Sequence, residues 1–129
     1  MKDRPTILII EPNAHFRKAL VNVIRSSFSG LSIIECGTAE DAMRKSIVLK
    51  PRLVLMDIHL SDASGPGLNL IRDIARRSPT SRIAVLTDSD ADEYQQAAFQ
   101  NGAKFFISKT EPDESIKVLA MIRETLPEA

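Results

Sequence analysis

Cysteine, long apolar runs and an excess of charge of either sign are all missing from this chain, and each absence excludes something. A single cysteine, Cys36, leaves no intramolecular disulfide framework and no cysteine-built zinc cage, and it suits a reducing compartment. Seventeen Lys+Arg balance 17 Asp+Glu, for a formal net charge of zero. That argues against a basic nucleic-acid surface or a membrane-seeking polybasic patch. No apolar run approaches the roughly 20 residues that cross a bilayer. The opening Met1-Lys2-Asp3-Arg4-Pro5 is not followed by an apolar stretch long enough for a signal peptide. Low-complexity tracts, internal repeats and Gly/Ser linkers are also lacking. What remains is a single domain over residues 1–129, expected in the cytoplasm, whose 43% hydrophobic content can build a core without metal or disulfide support.

Short apolar runs alternate with amphipathic segments along the chain. Ile7-Leu8-Ile9-Ile10, Leu53-Val54-Leu55-Met56, Ile83-Ala84-Val85-Leu86 and Phe105-Phe106-Ile107 read as parallel strands covered on both faces. Leu31-Ser32-Ile33-Ile34, broken by a serine, reads as an edge strand. Between the runs, Phe16, Leu20, Val23, Ile24 and Phe28 form one helical stripe, and Ala39, Ala42, Met43 and Ile47 form another behind Thr38 as N-cap. Leu68, Ile71, Ile74 and Ala75 make a third. Thr110 and Asp113 resemble a capping box, with Pro112 in the first turn and Ile116, Leu119, Ile122 and Leu126 as the stripe. The helix ending at Gly102 is the thinnest, with Tyr94, Ala97 and Ala98 as its apolar face. This βα alternation, five times over, predicts an α/β, flavodoxin-like doubly wound parallel sheet with strand order 2-1-3-4-5.

In such sheets chemistry sits beyond the carboxyl ends of the strands. The strands deliver Glu11, Asp57, Thr87 and Lys109 to that edge. A carboxylate there can attack phosphorus, a lysine and a hydroxyl can hold phosphoryl oxygens, and a second carboxylate can help hold a hard divalent cation.

The motifs around these residues closely resemble the receiver domain of bacterial two-component response regulators, over essentially the whole chain. They are Ile7-Leu8-Ile9-Ile10-Glu11, Leu53-Val54-Leu55-Met56-Asp57-Ile58-His59-Leu60 with Gly65, Ala84-Val85-Leu86-Thr87, and Gly102-Ala103-Lys104-Phe105-Phe106-Ile107-Ser108-Lys109. Thr110 after Lys109 is similar to receivers linked to helix-turn-helix output domains. The resemblance implies that Asp57 accepts a phosphoryl group from a sensor histidine kinase or phosphotransfer protein. It implies that Thr87 and Lys109 bind the phosphoryl oxygens and that Thr87 and Phe106 act as the switch. Mg²⁺ would be held by Glu11, Asp57 and the backbone carbonyl of His59. Such a chain is a signalling module rather than an enzyme, with transcription regulation as its typical output. It would not itself touch nucleic acid or membrane. A homodimer through the last two helices and an output domain outside this chain are both compatible with it.

One position departs from the pattern. Where the family completes its acidic pair, this sequence has Pro12, which offers no side-chain oxygen to a hard cation. Weaker Mg²⁺ binding follows, with Asn13 as a substitute oxygen if the turn rearranges. Two other functions stay open on the residues. One is a degenerate receiver that docks or dimerises without phosphorylation. The other is a phosphate-ester hydrolase, for which Asp57-Ile58-His59 lacks the second aspartate that would serve as general acid. Gly65-Pro66-Gly67 begins like a dinucleotide fingerprint, but Leu70 ends the match, and His15 and His59 have no partner at ligand spacing.

Overall fold

The alternating pattern folds into five strands and five helices in strict succession among the described residues. The computed structural model describes residues 4–57, 67–88, 92–110 and 112–127. The strands are β1 (Thr6–Ile10), β2 (Ser32–Cys36), β3 (Leu53–Met56), β4 (Arg82–Thr87) and β5 (Phe105–Ser108). The helices are α1 (Ala14–Ser27), α2 (Ala39–Leu49), α3 (Gly67–Arg77), α4 (Asp92–Asn101) and α5 (Glu114–Thr125). All neighbouring strands pair in parallel, in the order β2-β1-β3-β4-β5. This is the expected doubly wound sheet, with β2 on one edge.

Period-two alternation of the strands divides the core into two layers. Ile7, Ile9, Leu53 and Leu55 pack with Leu20 and Ile24 of α1 and with Val118 and Ile122 of α5. Leu8, Ile10, Val54 and Met56 pack instead with Ala42, Ile71, Ile74 and Ala98, from α2, α3 and α4. The eight residues Ile7 to Ile10 and Leu53 to Met56 are at most 1% exposed. A helix layer on each face explains why these runs are continuous rather than alternating.

The helix ends follow local chemistry. Thr38 caps α2 by accepting the Asp41 N–H at 3.2 Å. Gly102 ends α4 at φ +123°, and a Cβ there would sit 2.8 Å from the Cβ of Ala75, so both conformation and space demand glycine.

Two expectations need correction. In α1 Leu20, Ile24 and Phe28 are buried as expected, but Val21 is buried and Val23 only partly so, which turns the stripe slightly from the one read off the sequence. In α5 the expected capping box does not form. Asp113 is the N-cap but makes no side-chain cap bond, and the Thr110 hydroxyl pairs with that of Ser108 at 2.7 Å. The helix therefore starts after Pro112, its stripe runs through Val118, Met121, Ile122 and Thr125, and Ile116 is 69% exposed.

Two outcomes are expected from this packing. Ile24→Ala, which empties a fully buried site between α1 and the sheet, should cost about 3 kcal/mol in urea unfolding. Cys36 is 5% exposed, and burial pushes its thiol up to about 11. It should resist iodoacetamide in the native protein near neutral pH and react once urea unfolds the chain.

Candidate functional site

At three strand ends that carry candidate residues the ladder continues one residue beyond the strand. The Glu11 N–H donates to the Cys36 carbonyl at 3.0 Å, the Asp57 N–H to the Ile10 carbonyl at 3.1 Å, and the Lys109 N–H to the Thr87 carbonyl at 2.7 Å. Each side chain thus leaves from backbone that is still part of the sheet. Thr87 is the last residue of β4, fully buried, and in register with Ser108 of β5.

These launch points bring Glu11, Asp57 and Lys109 together. The Lys109 ammonium donates to Asp57 Oδ2 at 3.0 Å and also to Glu11 Oε1. Their side chains are only 14% (Lys109), 6% (Glu11) and 12% (Asp57) exposed. Burial opposes the charge on Lys109, but the hydrogen bonds and attraction of Glu11 and Asp57 outweigh it and hold the ammonium above its usual range. The face of the Phe16 ring lies against the same ammonium, 4.2 Å from Nζ to the ring centroid. A cavity of about 10 Å³, barely room for one water, is lined by Glu11, Phe16, Asp57 and Leu86 among others.

The loop after β1 is held by contacts that the sequence reading missed. The Asn13 N–H donates to Glu11 Oε2 at 3.1 Å, and Asn13 Oδ1 accepts the Phe16 N–H at 3.0 Å as the N-cap of α1. Asn13 therefore spends its side-chain oxygen on the helix rather than offering it to a cation. An asparagine immediately before a helical stripe is a readable N-cap signal. The Arg17 guanidinium donates to the Glu11 carbonyl and pairs with Glu35 Oε1 at 3.1 Å, while Lys18 Nζ reaches Glu35 Oε2 at 3.0 Å. Lys18, with Arg17 beside it, holds the Glu35 carboxyl below its usual range against the opposing effect of burial. Nothing in a single sequence pairs Arg17 with Glu35, because β2 meets α1 only after folding.

The remaining expected residues are placed less closely. Pro12 is exposed and brings no side-chain oxygen to the cluster. His59 lies outside the described residues, as does Gly65. Phe106 is partly buried against the layer that includes Val85 and Ala98. Its register partner is Val85, two residues before Thr87, so Phe106 and Thr87 face the α4 side of the sheet. Among the described residues no group of three or more His, Cys, Asp or Glu is placed to hold a metal. Two carboxylates do fit a strongly hydrated Mg²⁺, which keeps several waters.

Residues 7–121 match the model of the response regulator receiver domain. The chain belongs to that family. The receiver is 31% identical over 121 residues to a protein-glutamate methylesterase/protein-glutamine glutaminase of Geobacter sulfurreducens, covering 93% of this chain and 31% of that protein. It is 26% identical over 103 residues to the DNA-binding transcriptional activator DevR/DosR of Mycobacterium tuberculosis, covering 80% of this chain and 46% of that one. The chain thus spans less than half the length of these relatives. Its fold is similar to a CheY-like receiver from Methanospirillum hungatei, with a TM-score of 0.84 at 22% identity over 97% of this chain and 95% of that one. A LuxR-family response regulator from Aurantimonas superposes with a TM-score of 0.84 at 21% identity, over 97% of this chain and 86% of that one. No helix among the described residues is long and apolar enough to cross a membrane.

Because Lys109 is the shared cation, Lys109→Met should destabilise the receiver by about 2 kcal/mol near pH 7, by leaving two carboxylates facing each other. A folded-state pKa raised above the unfolded value means that this stabilisation is present below about pH 10.4 and is lost as pH climbs past the raised value. Urea unfolding of both proteins across pH should therefore show their difference narrowing above about pH 10.5.

Proposed function

We propose that this receiver accepts a phosphoryl group on Asp57 and passes the change to the face built from α4, β5 and α5. The observation that carries the reading is the Asp57 carboxylate at the end of β3, with the Lys109 ammonium 3.0 Å away. Transfer joins an Asp57 carboxylate oxygen to phosphorus as the bond to the donor breaks, leaving an acyl phosphate. Lys109 holds the incoming phosphoryl oxygens and exchanges its present carboxylate partners for them. The Thr87 hydroxyl bonds another phosphoryl oxygen, and Phe106 follows Thr87 inward as the switch. Glu11 and Asp57, with the His59 carbonyl, would hold Mg²⁺, weakened by Pro12; bound there, the cation offsets charge on the group being transferred.

The donor in this reading is a sensor histidine kinase or phosphotransfer protein in the cytoplasm. The output is transcription regulation through a domain outside this chain, with a homodimer through α4–β5–α5 compatible with it. The receiver itself turns over no small-molecule substrate.

Intact mass after incubation with acetyl phosphate and Mg²⁺ tests the reading. One added phosphoryl group is expected, absent in Asp57→Ala. Pro12→Asp should raise Mg²⁺ affinity and the rate by about tenfold, since one more carboxylate contributes on the order of 1.4 kcal/mol. No mass gain at saturating donor and metal, in either the wild type or Pro12→Asp, would sink it.

A further inference from the structure

Four contacts close a ring through Lys109, the ammonium that also bonds Asp57. Glu11 Oε2 accepts from the Asn13 N–H, and Asn13 Oδ1 accepts from the Phe16 N–H. The Phe16 ring faces Lys109 Nζ, which donates back to Glu11 Oε1. Phe16 reads from sequence as the first member of the α1 apolar stripe, an ordinary core position. The structure gives it a different setting. It is only partly buried against the α1/α5 layer, and it occupies the third position of the helix, where the Asn13 cap fixes its backbone. Phe16 lines both the small cavity beside Asp57 and a groove between α1 and α5 lined by Ala19, Val23, Glu114 and Ser115.

We propose that Phe16 is a positioning residue for Lys109, its ring face holding the ammonium over Asp57. This rests on the reading of Lys109 as the phosphoryl-binding cation. A lysine stem is flexible and its three donors rotate freely, so two carboxylate bonds alone leave the ammonium able to follow either carboxylate. The negative face of an aromatic ring adds a third, directional attraction that a saturated side chain of similar volume lacks. When the phosphoryl group arrives, Glu11 and Asp57 give up their hold on Lys109, but the ring does not. Phe16 thus keeps the ammonium in place through the exchange of partners. Glu114, at the start of α5, faces the same groove; burial lifts its carboxyl above the usual range, against the pull of Ser115 and Lys109.

Phe16→Tyr keeps the ring face and Phe16→Leu removes it, so the pair separates positioning from packing. The first readout needs no phosphodonor. In NMR spectra of the full chain, the Lys109 side-chain signals should sit upfield through the ring current in wild type and Phe16→Tyr, and return to ordinary positions in Phe16→Leu. The second readout is the maximal rate of mass gain from acetyl phosphate and Mg²⁺. It should fall about threefold to tenfold in Phe16→Leu and stay within about twofold in Phe16→Tyr, at equal thermal midpoints. If Phe16→Leu does not fold, Phe16→Met replaces the ring with another flexible apolar chain. Equal Lys109 spectra in all variants, or equal rate losses in both, would overturn the proposal. A wild type that shows the ring current but no mass gain would overturn the phosphoacceptor reading and leave the placement of Lys109 by Phe16 standing.

Discussion

Two carboxylates almost wholly removed from water at one end of a sheet are a problem that the fold has to solve. Glu11 and Asp57 arrive there because β1 and β3 are adjacent and parallel, so both strands end at the same edge. Like charges in that setting raise each other's cost of ionisation, and burial raises it further. Lys109 answers both by reaching from the end of β5 to bond each carboxylate. Remove that cation and the pocket becomes a site of repulsion.

Most of the nearby polar detail serves this arrangement. The Asn13 cap starts α1 while also bonding Glu11, and Arg17 ties the Glu11 carbonyl to Glu35 on the edge strand. The two functions share residues because the loop is short: three residues separate the end of β1 from the start of α1. On the opposite face the anchoring is thin. Ala98 is fully buried, while Tyr94 and Phe99 of α4 are 38% and 42% exposed. A helix that buries little apolar surface has little to lose by shifting, which is the property a switch face needs.

The departure at position 12 takes its meaning from the same geometry. Proline brings no side-chain oxygen to the cluster, and the Asn13 side chain is committed to the helix end. The cluster holds two carboxylates and one lysine that bonds both of them.

The sheet was legible because each strand is a short apolar run with no polar face, and such runs are stable only when helices cover both sides. Glu11, Asp57, Thr87 and Lys109 were legible because a parallel sheet places chemistry just past its strand ends. The helix surfaces were less so. In α5 the turn chemistry of Thr110 and Pro112 pointed to a start that the chain does not adopt, and a small rotation of α1 exchanged Val23 for Val21. Periodicity locates a helix; its rotation is decided by what packs against it. The same limit hid Phe16 and Arg17. By itself, the order of residues along the chain determined which side chains stand at the strand ends. Only the tertiary structure decided which of them touch, because the ring of Phe16, the ammonium of Lys109 and the carboxylate of Glu35 come from elements that meet only when α1 closes on the sheet.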